Sequence, residues 1–328
     1  MSVIYSRAPL RISLGGGGTD LPSYYAEHEG FLVAGAIDKY VYMFVHTVFQ
    51  RRYRMKYSEI EEVDHPAEIR HPILRETLVR HWHGDPIEIA SVADVPAGTG
   101  MGSSGAYTVC LLKALAQARH QASTPAMLAE AACEIEIDVL HEPVGKQDQY
   151  VAAHGGISAY HFRRDGTVEV EPLELHAETL SRLRDRLLLF YTGEARSASA
   201  ILSDQHRRSS AGDQVMIENL HRTKEMGHLS RQLLEKGDLE GYAALMHEHW
   251  LNKRRRSPGM AGERVDDLYG RARESGALGG KLVGAGGGGF LLVYSVNPEQ
   301  TRAAMAEMHA SELAFDFEYG GAFASGTA

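Results

Sequence analysis

A chain of 328 residues with 44% hydrophobic side chains exceeds one ordinary domain, so two domains sharing a cleft are expected. Its formal charge of −9, from 34 basic and 43 acidic residues, excludes an electrostatic footprint for nucleic acid or an anionic membrane; any anionic ligand must be gripped locally. Cys110 and Cys133, the two thiols, fall inside helical patterns and read as core residues of a reducing compartment, with no zinc site; no leader or apolar run of about 18 residues is visible, and a cytoplasmic protein is expected.

Residues 3–14 read as a strand that runs into a first glycine turn, Gly15-Gly16-Gly17-Gly18-Thr19-Asp20, with Arg11 just before it. A short helix is expected over 22–28, antiparallel strands over 30–49 and 52–57, a helix over 73–82 and a strand over 87–95. That strand feeds a second turn, Pro96-Ala97-Gly98-Thr99-Gly100-Met101-Gly102-Ser103-Ser104-Gly105, before an apolar helix that extends to 118. Glycines let several N–H groups converge, and the helix start adds positive potential, which suits a phosphate.

Known phosphate-loop patterns separate by spacing. G-x-x-x-x-G-K-[ST] fails because no Lys follows these glycines; at Lys281 it fails again, with Ser275 and Leu282 where glycine and hydroxyl belong. Gly100, Gly102 and Gly105 do spell G-x-G-x-x-G, yet residues 120–129 hold no acid for a ribose. The paired serines fit a third option, hydroxyls that touch phosphate and a metal ion.

Thr124-Pro125 opens the next helix, whose polar side carries Glu134, Glu136 and Asp138, either a solvated acidic face or a place for a cation. A polar loop, Gly145-Lys146-Gln147-Asp148-Gln149-Tyr150, precedes a strand over 157–162. Residues 187–191 are a buried-type strand that can open the second domain, followed by a small, hydroxyl-rich stretch over 192–203. Two long helices, 213–235 and 238–255, end in Lys253-Arg254-Arg255-Arg256, which suits a helix dipole or a substrate phosphate. After a helix over 263–274 comes a third turn, Gly284 to Gly289, then a strand over 290–296, a helix over 297–310, a returning strand over 313–319 and a fraying tail at 325–328.

Taken together, the three turns resemble the motifs of the GHMP kinases. Pro96 to Ser104 is similar to the family's P-x-G-x-G-L-G-S-S, Arg7 to Arg11 with Gly18-Thr19-Asp20 to its first motif, and Lys281 to Gly289 to its third. The likeness covers residues 5–320, and the strings at 15–20, 145–150 and 249–259 resemble its sugar C1 kinases, above all those acting on a heptose 7-phosphate, with fucokinases nearby.

The resemblance implies an α+β fold of two domains: residues 1–180 of ribosomal S5 domain 2-like type, and residues 181–328, ferredoxin-like. It implies transfer of the ATP γ-phosphoryl group to an anomeric hydroxyl, in a pathway to nucleotide-activated heptose for capsule, lipopolysaccharide or S-layer glycans. Asp148 would then be the base and Arg11 its cationic neighbour, while Pro96, Gly98, Gly100, Met101, Gly102, Ser103 and Ser104 hold ATP. Ser104 and Glu136 would hold Mg²⁺, ahead of Glu134 and Asp138. Gly17, Gly18, Thr19, Asp20, Lys146, Gln147, Arg196, Gly286 and Gly287 would face the sugar. For a second phosphate, Lys146, Arg163, Arg196 and the 253–256 cluster stay open alternatives. The expected partners are ATP and a sugar phosphate, with a homodimer left open.

Overall fold

The computed structural model describes residues 3–49, 51–193, 199–257 and 259–326. The first strand, β1 (Ile4–Gly15), runs into the first glycine turn, and Pro22 opens α1 (Pro22–His28) at a position where its missing N–H costs nothing. The Val- and Tyr-rich stretch that follows is one strand of 18 residues, β2 (Gly30–Thr47). Its length lets it organise the sheet: β1 pairs along one edge, while the other edge is shared by two later strands.

The chain continues through β3 (Tyr53–Lys56), β4 (Ile60–Val63), α2 (Pro72–His81), β5 (Ile87–Ala93) and α3 (Ser103–Ala118). Thr124 caps α4 (Pro125–Cys133), its hydroxyl accepting from the Met127 N–H, and this helix passes directly into a π-helical segment over Glu134–Val139. Then come α5 (Gln147–His154), β6 (Ile157–Phe162), β7 (Val168–Pro172) and α6 (Ala177–Arg186). β2 pairs with β6 through Gly30–Gly35 and with β5 through Val41–Thr47.

The second half holds β8 (Leu187–Tyr191), α7 (Ser199–Ser210), α8 (Gln214–Lys236), α9 (Leu239–Arg254), α10 (Glu263–Glu274), β9 (Ala277–Leu282), β10 (Phe290–Ser295), α11 (Pro298–Glu307) and β11 (Phe323–Gly326). Its sheet has the order β8-β10-β9. Tyr191 N donates to Ser311 O and Leu313 N to Leu189 O, both at 2.8 Å, so residues 311–313 lie along the free edge of β8 and complete a ferredoxin-like order. One core cluster joins the halves, from Leu10, Phe31 and Ala106 to Tyr242 and Leu292; a second, around Trp250, Leu268 and Val293, belongs to the smaller sheet.

Four expectations change. The 145–150 string is a loop only to Lys146; Asp148 stands in the first turn of α5. The stretch 313–319 does not form a full strand: Glu312 bridges to Phe190 and Phe317 to Ile37, so this segment carries the chain from the second sheet back to the first. There β11 pairs with β1, so Ser325 and Gly326 are held in a ladder rather than frayed. The stretch around 192–203 contains the start of α7, and α6, β4, β7 and β9 also went unread. α6 is amphipathic but mostly polar and buries only Thr179 and Leu183, and β9 carries Gly279-Gly280, so neither stands out as an apolar run.

Candidate active site

The three glycine turns meet around a cleft of about 770 Å³. The second and third turns touch through their backbones. A Cβ on Gly284, at φ +75°, would overlap the Gly100 carbonyl, and Gly100, at φ +80°, lies against the Val283 carbonyl. Both the conformation and the closeness demand glycine.

Arg11, near the end of β1, reaches across to α5: its Nε donates to Asp148 Oδ1 at 2.8 Å and an Nη lies 2.7 Å from the same oxygen. Its other Nη donates to Gly100 O at 2.6 Å. One guanidinium therefore ties β1, the second glycine turn and α5 together, with Arg11 7% and Asp148 26% exposed at the side chain. Asp148 keeps an open side toward the cleft.

Two further acids are buried. Asp20 accepts from the N–H groups of Gly18 at 3.1 Å and Gln147 at 3.2 Å; burial, then the Asp148 charge, raises its pKa against those bonds. Glu136 accepts from Gln149 Nε2 at 3.1 Å, with the Ser104 and Thr108 hydroxyls beside it, and burial lifts its carboxyl to about 7. Glu134 and Asp138 are exposed, and of the three acids Glu136 alone is buried: at i+2 it lies on the opposite side of the helix from the i,i+4 pair, so the three do not form one acidic face. No group of three or more His, Cys, Asp or Glu positioned to hold a metal ion occurs among the described residues.

The cleft also has a buried basic wall. Lys253 Nζ donates to Leu282 O at 2.9 Å and also to Gly284 O. Arg256 donates to Asn219 Oδ1 at 3.0 Å, Thr223 Oγ1 at 2.8 Å and Gly17 O at 3.3 Å, and burial lowers its pKa to about 10. Burial, then the charges of Arg11 and Arg256, brings Lys281 down to about 7. Neither ring nitrogen of buried His249 has a hydrogen-bond partner among the described residues.

A different part of the lining is aromatic. Tyr57, His71 and Tyr107 form a stack there, His71 and Tyr107 at 5.1 Å between ring centres and 17° between planes, with Tyr57 edge-on to His71. The sequence does not single out this wall or Ser13, and it places Lys281 and His249 only within longer motif strings without a role; the aromatics come from three separate segments and share no local pattern.

Of the residues expected at the site, Arg11, Gly17, Gly18, Asp20, Pro96, Gly98, Gly100, Gly102, Ser103, Ser104, Gln147 and Asp148 all line the cleft. Others do not. Met101 packs fully into the core while its carbonyl accepts from Arg11 N. The Thr19 hydroxyl is spent bracing the turn, donating to Gly16 O and Phe31 O and accepting from Phe31 N. Lys146 turns away to Gly166 O at 2.6 Å and Glu130 at 3.3 Å, and Arg163 pairs with Glu169 on the surface. Gly286 and Gly287 pack on Met260 instead of lining the cleft, and Arg196 lies outside the described residues.

Comparison with known proteins agrees with this architecture. The family model "GHMP kinases N terminal domain" matches residues 72–156, and "GHMP kinases C terminal" matches residues 230–311. The chain is 28% identical over 307 residues to the D-glycero-alpha-D-manno-heptose 7-phosphate kinase of Campylobacter jejuni, covering 90% of each. It is 25% identical over 318 residues to the bifunctional fucokinase/GDP-fucose pyrophosphorylase of Arabidopsis thaliana, spanning 30% of that longer protein. A crystal structure of a D-glycero-D-manno-heptose 1-phosphate kinase from Bacteroides thetaiotaomicron superposes with a TM-score of 0.80 at 24% identity over 99% of both chains. A cleft framed by glycine turns on this two-domain fold is that of a phosphotransferase. The chain belongs to the GHMP kinase family.

Proposed function

We propose that the protein transfers the γ-phosphoryl group of ATP to the anomeric hydroxyl of D-glycero-D-manno-heptose 7-phosphate, giving the 1,7-bisphosphate. The observation that carries this reading is the Arg11–Asp148 pair, open to a cleft under the glycine turn that starts α3. Likeness to a heptose 7-phosphate kinase over 90% of both chains supports the acceptor, and the product would feed nucleotide-activated heptose for surface glycans such as capsule or lipopolysaccharide.

In this mechanism residues 1–180 supply the nucleotide side and residues 181–328 the opposing wall. The aromatic stack takes the base, and the N–H groups of the second turn with the α3 dipole hold the phosphates. Ser103 Oγ, buried without a partner among the described residues, is a donor waiting for phosphate oxygen. Asp148 takes the proton from the sugar hydroxyl as its oxygen bonds to the γ-phosphorus and the bond to the β-bridging oxygen breaks, releasing ADP. Arg11 holds the Asp148 carboxylate in place and offsets charge on the sugar oxygen. Asp20 and Gln147 face the sugar.

Ser104 lines the cleft and Glu136 is buried beside it, outside the lining; with its carboxyl raised to about 7 and no cation acting on it among the described residues, Glu136 and the Ser104 hydroxyl would be hard oxygen donors for a magnesium ion. The ion supplies positive charge to the transferring phosphates.

The test is ADP release with MgATP and a panel of heptose 7-phosphate, mannose, fucose, galactose, homoserine and mevalonate, with phosphorus NMR locating the new phosphate. Turnover confined to the heptose phosphate with a new anomeric phosphate is expected. Preference for fucose or another free sugar would move the protein to the fucokinase side, and turnover of homoserine or mevalonate would discard the sugar.

A further inference from the structure

Resting on the sugar kinase reading above, we propose that Lys281, Arg256 and His249, together with Lys253, bind a phosphate that the acceptor already carries. All four line the cleft, and all four are nine-tenths buried or more.

The argument is one of unbalanced charge. A buried cation costs several kcal/mol unless a counter-charge meets it. Lys253 spends its protons on two backbone carbonyls and Arg256 on neutral oxygens. Lys281 has no hydrogen bond or ion pair with a described residue, and neither nitrogen of His249 is satisfied. The acid within charge range of Arg256 is Asp20, whose carboxylate is already engaged by two backbone N–H groups. A dianion placed here meets Lys281 and Arg256 and gives His249 an acceptor.

The wall faces the acceptor rather than the nucleotide. Arg256 is rooted in the first glycine turn, donating to Gly17 O and to Gln205, which itself donates to Gly18 O at 2.8 Å. The nucleotide phosphates have the second turn, with its own orphaned serine. Three rival basic residues are spent elsewhere, Lys146 and Arg163 pointing away and Arg254 pairing with Asp266 at 2.6 Å; Arg255 is exposed, and Arg196 lies outside the described residues.

The test compares heptose 7-phosphate with the dephosphorylated heptose for the wild type, Lys281→Met and Arg256→Lys. Lys281→Met deletes a buried charge while keeping the stem, so folding survives, as a melting curve will show. The wild type is expected to prefer the 7-phosphate. In Lys281→Met that preference, read as the ratio of kcat/KM values, falls roughly 10- to 100-fold, while the KM for ATP stays within about threefold. Inorganic phosphate competes with the sugar phosphate in the wild type and less in the variant. An unchanged ratio, or a KM for ATP that rises in step with that for the sugar phosphate, overturns the assignment. Equal use of both heptoses by the wild type also overturns it and leaves the sugar kinase standing. If no sugar is turned over, the kinase reading falls by itself. Calorimetric titration with mannose 6-phosphate then decides the site: weaker binding by Lys281→Met supports it, equal binding sinks it.

Discussion

Asp148 and Arg11 stand 137 positions apart in the chain, yet the guanidinium grips one carboxylate oxygen through two nitrogens. The geometry leaves the other oxygen for a substrate proton. Asp148→Asn keeps the shape and removes the base, so kcat is expected to drop about 10²- to 10⁴-fold, with ATP binding retained by direct titration. Turnover within a few-fold of wild type would remove Asp148 from the chemistry. Both residues were legible in the sequence, because motifs specify residue type and spacing. Motifs do not specify direction: Thr19 and Lys146 sit in matching strings, yet one hydroxyl braces its own turn and the ammonium leaves for Glu130 and Gly166. Lys281 was read as part of a failed phosphate-loop pattern; its meaning comes from burial, which spacing does not report.

At the scale of elements, the site depends on how closely α3 and α5 approach. A Cβ on Gly105, in the first turn of α3, would lie 2.8 Å from Asp148 Cβ and 2.9 Å from both its carbonyl carbon and Gln149 N. Two effects oppose each other in Gly105→Ala. Helix propensity favours alanine by about 1 kcal/mol, whereas the clash is with backbone and has to move α5. A 1 Å displacement of a catalytic group can cost about a hundredfold, so kcat is expected to fall at least roughly tenfold while circular dichroism keeps the helical signal. A variant more stable and equally active would refute the packing argument. The acidic helix shows what periodicity can do: Glu134 and Asp138, four apart, share the exposed side, and Glu136, two positions from each, falls on the opposite side and is buried.

At the scale of the molecule, the chain closes on itself. β11 pairs with β1 from Ile4↔Gly326 to Arg7↔Phe323, and Phe323 packs near Tyr5 with ring centres 6.5 Å apart. The same β1 carries Arg11 and ends at the first glycine turn. Truncation after Ala322 bares the edge of β1 and removes cross-strand pairs worth about 0.2–1 kcal/mol each. The urea midpoint is expected to fall by a stability loss of about 1–3 kcal/mol, with the KM for ATP little changed. An unaltered midpoint would show that the tail adds nothing to the sheet.

The glycine turns, the helix starts at Pro22 and Pro125, the strands at Ile157–Phe162 and Leu187–Tyr191, and the family were all determined by the sequence alone. These are local matters: a positive φ, a missing N–H or an apolar period is written in a few consecutive residues. The tertiary structure alone decided that residues 323–326 return to the first strand, that Glu136 is buried beside the Ser104 hydroxyl, and that Lys281, Arg256 and His249 share one wall with Asp20. Those outcomes depend on burial and on contacts between distant segments, where a charge takes its value from what surrounds it rather than from what precedes it in the chain.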